Sequence, residues 1–257
     1  MDVLLPMFQL LYFVAHFLAS LALSVIDTFR DLHRLLLHFY CFFVPTRVPA
    51  CRLQADAAQL KKIPQHLGLV CVGQQVNHIA QLTAVISWAV GYGVHYVSLY
   101  DVRGILKRKR SVILKALQES SPGFTYYLSH DQDCIQVRDV LYEKDFKINN
   151  GVLHRIVTVN LLSAIDGRGN LASAAQHLSK KGCQITETMI ESLLVTQGQP
   201  DPDMVITIGK PITTLGFIPW QIRLSEFFSI PSLSRFEYHD FQSMLQKYSK
   251  CEQRFGK

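Results

Sequence analysis

The chain has 257 residues, 49% of them hydrophobic and 18% charged, with a formal net charge of +6. This length suits one medium domain with an appendage, so a disulfide miniprotein is excluded, and the composition excludes a disordered or collagen-like chain. The basic balance favours an anionic partner, and membrane headgroups or diphosphates fit it as well as nucleic acid does.

The stretch from Val3 to Ile26 contains no Lys, Arg, Asp or Glu, and 19 of its 24 residues are apolar. As a helix it would reach roughly 36 Å, enough for a ~30 Å hydrocarbon core. A cleaved signal peptide is the other reading, but a basic n-region is missing and the apolar run is too long, which favours a retained anchor. No second run is long enough to span, which argues against a polytopic transporter. Only Asp2 precedes the segment, whereas Arg30, Arg34, Arg47, Arg52, Lys61 and Lys62 follow it. The positive-inside rule then leaves the body in the cytosol. A run of ten, Leu35 to Val44, suits an interfacial segment, a packing segment or a re-entrant hairpin. Pro45 and Pro49 bracket a connector. The expected organisation is a membrane anchor over 1–27, a juxtamembrane linker over 28–60 and a folded domain over 61–257.

The body alternates strands and helices. His66 to Val72 is an apolar run of the kind expected for a strand buried on both faces. A helix is predicted from Gln75 to Val90, ended by Gly91 and Gly93. Val94 to Tyr100 is the next strand. Lys107 to Ser120 is a basic amphipathic helix stopped by Pro122-Gly123. Tyr126 to Leu128 and Cys134 to Leu141 are strand candidates, and Asn149-Asn150-Gly151 marks a turn. Arg155 to Leu162 is a strand, and Gly169 to Leu178 and Glu187 to Val195 are helices. Met204 to Ile208 is a strand, Ser225 to Phe228 is predicted helical, and Tyr238 to Lys250 is a helix. The alternation predicts an α/β fold, a parallel sheet flanked by helices.

The six cysteines show no CxxC pair and no zinc-ligand spacing, so free thiols are expected. No N-x-[ST] site occurs, which weighs against a lumenal body. Walker A, GxGxxG, HExxH and GxSxG motifs are all missing. Lys107-Arg108-Lys109-Arg110 reads first as a solvated helix start, with a nuclear signal or an anionic-lipid patch as alternatives. No nucleic-acid partner is expected.

Four stretches carry a family resemblance: Pro200-Asp-Pro-Asp203, Thr214-Leu-Gly-Phe-Ile-Pro-Trp220, Gln221-Ile-Arg-Leu-Ser-Glu226 and the tail Cys251-Glu-Gln-Arg-Phe-Gly-Lys257. From about Lys61 onward the chain resembles the cis-prenyltransferases, which make long Z-polyprenyl diphosphates. More closely, it resembles the non-catalytic subunits of eukaryotic dehydrodolichyl diphosphate synthase, the Nogo-B receptor family.

The departures from the catalytic pattern are as informative as the matches. The catalytic family ends its first strand in M-D-G-N, whose Asp holds magnesium. Here Val72 stands at that position, before Gly73-Gln74, and a valine side chain offers no oxygen donor. Further on, Thr207 and Thr213 replace two arginines that grip the diphosphate of isopentenyl diphosphate, and Pro211 replaces the Glu between them. Asp101 to Leu106 replaces a serine-asparagine stretch. Glu226 matches a second metal-side carboxylate that has lost its partner, and Asp166-Gly167-Arg168 loosely matches a Tyr-Gly-Gly-Arg turn. Losing the guanidinium groups removes bidentate phosphate binding.

The resemblance thus implies a cis-prenyltransferase-like fold without a working pocket of its own. It further implies that Arg254 and Gly256 of the tail cross to a catalytic partner and complete its active site on substrate diphosphate. Magnesium would be bound in that partner, with no metal or cofactor held by this chain. Phe217, Trp220, Arg223, Glu226 and Phe228 are the interface candidates. The function implied is an activating, membrane-anchoring subunit at the endoplasmic reticulum, single-pass and with its C-terminal domain cytosolic. The complex would condense isopentenyl diphosphates onto farnesyl diphosphate for dolichol synthesis and protein glycosylation. The alternative is a membrane receptor or scaffold that uses an inactive prenyltransferase fold to bind protein ligands.

Overall fold

The structure, a computed structural model, describes residues 12, 16–26, 28–29, 48–121, 124–129, 146–149, 152–180, 182, 184–196 and 198–252. The chain divides into two compact units, Met1–Pro45 and Thr46–Lys257. In the first, residues 16–26 are helical. No helix among the described residues is long and apolar enough to cross a membrane. Much of the expected anchor, and all of Leu35 to Val44, lie outside the described residues.

The second unit opens with α1 (Ala50–Ala57), inside the stretch expected to be linker. Its Leu53 is buried in the main core, so the fold begins before Lys61. Strand β1 (His66–Cys71) follows, then a 3-10 turn (Gly73–Asn77) and α2 (Ile79–Tyr92). Gly93 ends α2 in the left-handed region (φ 115°) and donates its N–H to the Ala89 and Val90 carbonyls. Strand β2 spans Tyr96–Tyr100.

The predicted basic helix is two helices, α3 (Ile105–Arg108) and α4 (Arg110–Ser120), broken at Lys109. The Asp101 carboxylate starts α3 by accepting the N–H groups of Ile105 and Leu106, each at 2.9 Å. Strand β3 (Phe124–Ser129) matches the first of the two strand candidates, and Cys134 to Leu141 lies outside the described residues. A strand that was not expected, β4 (Phe146–Asn149), runs antiparallel to β5 (Val152–Leu162). Next come α5 (Asn170–Ser179), a short α6 (Glu187–Glu191), β6 (Met204–Ile208), β7 (Glu226–Ile230) and α7 (Tyr238–Lys250).

The helix predicted at Ser225 to Phe228 is corrected to β7. Its residues pair in parallel with β6, from Met204 opposite Glu226 to Ile208 opposite Ile230. Four residues carry too little periodicity to separate the two states, and here the cross-strand pairing decides.

Among the described residues one sheet holds all seven strands, in the order β3-β5-β2-β1-β6-β7, with β4 beside β5. Every pairing along that order is parallel. The expected parallel sheet flanked by helices is therefore present. β1 is buried along its whole length and divides its side chains between two cores. Leu67, Leu69 and Cys71 pack among α2, α4 and α7. Val70 packs with Tyr100, Leu162, Val205, Phe217 and Ile218 on the other face. This two-sided burial is why parallel strands read as unbroken apolar runs.

Candidate functional site

The chain leaves β1 toward β2 on one side, and β6 returns on its other side. That reversal makes a topological switch point, and in open α/β sheets ligands bind at the carboxyl ends of strands beside such a point. Here the candidate crevice lies between the ends of β1 and β6. Val72 is buried there, and its N–H donates to the Ile208 carbonyl at 2.8 Å. Gly209 has φ +106°, and a Cβ on it would lie 3.0 Å from the Val72 carbonyl oxygen and 3.1 Å from Cγ of Gln75. Gln75, in the turn after β1, reaches the stretch after β7. Its Oε1 accepts the Leu233 N–H at 3.0 Å and the Ser232 hydroxyl at 3.4 Å. Nothing in the sequence around Gln75 pointed to this link.

The two threonines at the expected arginine positions line a shallow pocket of about 260 Å³ with Ile212, Phe227 and Phe228. Thr207 is buried and its hydroxyl donates to the Phe228 carbonyl at 3.2 Å, while the Thr213 Oγ1 accepts the Leu215 N–H at 3.3 Å. Both hydroxyls therefore serve local backbone. The pocket offers no guanidinium to a diphosphate. Nor do the residues at the crevice fit magnesium: Val72 brings a hydrocarbon side chain where the ion needs oxygen. Among the described residues no group of three His, Cys, Asp or Glu side chains could hold a metal.

At the end of β5 the Asp166 carboxylate accepts the Ser163 N–H at 2.7 Å, the Ser163 hydroxyl at 2.9 Å and the Lys107 ammonium. A Cβ on Gly167 would lie 2.1 Å from the Gly216 carbonyl oxygen, so this turn packs flush on the loop before Phe217. Arg168 is exposed. Asp101, within the stretch that replaces the serine-asparagine motif, caps α3 instead of facing a ligand.

The interface candidates separate. Phe217 is 0% exposed, with its ring 5.4 Å from that of Tyr100 and set against Gly68, whose added Cβ would come within 2.9 Å of it. It is a core residue, and the expectation that it serves an interface is corrected on that ground. Trp220 is half-buried beneath the Arg223 guanidinium, 5.7 Å from the ring centroid. Arg223 is exposed and pairs with Glu187 at 2.9 Å. Glu226 and Phe228 are half-buried on β7. Strand alternation instead turns Phe227, 48% exposed, outward on β7, the outer strand of the sheet. Ile212, which lines the shallow pocket with Phe227, and Leu224 are also exposed. Sequence reasoning missed Phe227 because a helix reading of 225–228 gives no two-residue alternation.

Arg254 and Gly256 lie outside the described residues. Their root is α7, which is clamped at its start. The Tyr238 hydroxyl donates to Asp56 at 2.5 Å and meets the Tyr92 hydroxyl at 2.9 Å. Burial, with the Asp56 carboxylate next in effect, raises the Tyr238 phenol far above its ordinary pKa, so it stays a donor.

Comparison with known proteins agrees with this geometry. Residues 140–256 match the family model for putative undecaprenyl diphosphate synthase. Solved structures share the fold: lavandulyl diphosphate synthase from Lavandula x intermedia, in complex with dimethylallyl diphosphate, gives a TM-score of 0.54 at 18% identity over 76% of this chain and 98% of that one. The mouse dehydrodolichyl diphosphate synthase complex subunit Nus1 is 34% identical over 221 residues, 81% of this chain and 71% of that protein. The human subunit NUS1 is also 34% identical, over 80% of this chain and 71% of that protein, and the fission yeast subunit is 28% identical. With relatives this similar over four-fifths of its length, the chain belongs to the NUS1 family of dehydrodolichyl diphosphate synthase complex subunits.

Proposed function

We propose that this chain is the non-catalytic, activating subunit of a heteromeric cis-prenyltransferase that extends farnesyl diphosphate with isopentenyl diphosphate. The observation that carries this reading is the side-chain set at and beyond the ends of β1 and β6: Val72 stands where the catalytic pattern has a carboxylate, and Thr207 and Thr213 stand where it has arginines, both hydroxyls being bonded to local backbone. The chain therefore depends on a catalytic partner, and its contribution to chemistry is the tail. Arg254 supplies a permanent cation with a planar fork of donors, and Gly256 allows close backbone approach to a diphosphate in the partner's site. Magnesium would be held by the partner's residues, where it would offset charge on the departing diphosphate. Exposed Phe227 on the outer strand β7, with exposed Ile212 beside it, is the partner-binding surface.

Val3 to Ile26 anchors the chain in the endoplasmic reticulum membrane, with the folded unit in the cytosol. The support is the charge-free apolar run and the basic residues that follow it. A greasy polyprenyl product suits synthesis beside a bilayer, and dolichol formation for protein glycosylation is its use.

The test is polyprenyl diphosphate synthesis from farnesyl diphosphate and labelled isopentenyl diphosphate, by this chain alone, the catalytic partner alone and the pair. Activity is expected in the pair. Arg254→Ala in the co-purified complex is expected to lower kcat/KM by about 10²-fold, the scale of losing one preorganised charge contact. A pair no more active than the partner alone removes the subunit role.

A further inference from the structure

We propose that the cavity between α1, α2 and the end of α4 is a binding site for a neutral single-chain lipid of the monoacylglycerol type. The site lies within the folded unit and depends on neither the tail nor the partner. The cavity measures about 740 Å³, inside the range of about 300–1,000 Å³ usual for small-molecule sites. Its origin is in the sequence of α1. That helix is pinned where Leu53 seats against Gly91 and where Asp56 accepts the Tyr238 hydroxyl. Beside Leu53, Ala50, Ala57 and Ala58 face the same cavity and are too short to fill it. Ala50, Gln54 and Ala58 are exposed and mark the mouth, whereas Ala84, Trp88 and Val90 are buried and form the inner wall.

The lining decides the ligand. None of the described lining residues is charged, and the polar ones are Gln54, Tyr92 and three serines, Ser87, Ser120 and Ser121. An ionised head would lose its hydration here without gaining a counter-charge, which excludes prenyl diphosphates as well as fatty acid anions. A hydrocarbon chain with a hydroxyl or ester head meets no such cost. The place for that head is marked by two hydroxyls. Ser87 Oγ on the cavity wall and the Tyr126 hydroxyl on β3 are both buried, and neither makes a hydrogen bond. Tyr126 is only 7% exposed. Its phenol lies near the Ser87 and Ser121 hydroxyls, which favour its ionised form, but burial outweighs them and raises its pKa. Buried hydroxyls in folded proteins nearly always have a partner. Two without one, beside an apolar cavity, suit a ligand that brings one donor and one acceptor on a neutral head.

The test uses the full chain in phosphatidylcholine nanodiscs with a 1-oleoylglycerol that carries a photoreactive diazirine in its acyl chain. Crosslinked residues are mapped by mass spectrometry. Crosslinks are expected on α1, α2 or residues 120–124. Unlabelled 1-oleoylglycerol should compete them away. Oleoyl lysophosphatidate, which differs from it by one phosphate, and farnesyl diphosphate should compete at least tenfold less well. Ala57→Trp, which fills the cavity, is expected to cut crosslinking at least tenfold. Ser87→Ala is expected to weaken binding about fivefold, the scale of one hydrogen bond, without lowering the melting temperature of the free chain, since that hydroxyl has no partner to lose. If Ala57→Trp gives no folded chain, Ala58→Leu at the mouth takes its place with the same expected direction. Crosslinks mapped elsewhere, or none above a diazirine control, overturn the site. Undiminished crosslinking in a folded cavity-filling variant also overturns it. Equal competition by the phosphate-bearing lipid overturns the assignment of a neutral ligand.

Discussion

His66 stands at the start of β1 with both ring nitrogens engaged. Its Nδ1 lies 2.6 Å from the Pro200 carbonyl, which can only accept, so Nδ1 carries the proton. Nε2 then accepts the Ser98 hydroxyl at 2.7 Å. Ser98 Oγ in turn accepts from the Asn160 amide, which pairs with Gln199 through bonds of 2.6 and 3.2 Å. The network is satisfied only with a neutral ring, and burial lowers the His66 pKa from 6.5 to about 4, against the Pro200 carbonyl and Asp203, which push it up. The unfolded chain therefore binds more protons than the folded one between about pH 6.5 and pH 4. Stability present above that window falls as the pH drops through it, by up to about 3 kcal/mol from this group. Denaturant unfolding of wild type and His66→Gln at pH 7, 5.5 and 4.5 checks this, since the variant should lose part of the slope; identical pH dependence would sink the assignment. The work of His66 is to join β1, β2 and β5, which only the folded positions of Ser98, Asn160 and Pro200 reveal.

Among the elements, α1 departs most from the expected organisation. Its eight residues, Ala50–Ala57, bury only Leu53, so no apolar stripe announces it. What makes it part of the fold is a partner 38 positions away: Gly91 in α2 leaves room for Leu53, whose Cδ1 would lie 2.4 Å from a Cβ added there. Gly91 was read as a helix terminator, whereas α2 continues through Tyr92 and the glycine admits a neighbouring side chain. Leu53→Ala is expected to cost the folded unit about 2–4 kcal/mol, as for other buried leucines. Urea midpoints measure this, and a change under about 0.5 kcal/mol, ordinary for a surface site, would return the segment to linker status. Strand β7 shows the same dependence on distant chain, because its register comes from β6. By contrast β1, β2, β5 and β6 were legible at once, since burial on both faces writes itself into consecutive residues.

For the molecule as a whole, the sheet's carboxyl edge decides what the chain can do. Val72→Asp restores the residue type of the catalytic pattern at β1, but it leaves threonines at 207 and 213. It also places a carboxylate where Val72 is buried, at an expected cost of about 3–5 kcal/mol for an uncompensated charge. The purified variant is therefore expected to make no polyprenyl diphosphate without its partner, and measurable turnover in a partner-free assay would refute the account of an inactive pocket. The amino-acid sequence by itself determined the fold class, the apolar N-terminal run, the loss of the acidic and arginine groups, and the Arg-x-Gly tail. These are properties of residue types at adjacent positions, carried by local periodicity and charge. Only the tertiary structure decided that Phe217 is core, that Phe227 turns outward, that Gln75 ties the turn after β1 to the stretch after β7 and that Ser249 holds the end of α7. Each of these depends on contacts between distant stretches of chain, up to 188 residues apart for Ser249, and burial at such a distance leaves no local pattern to read.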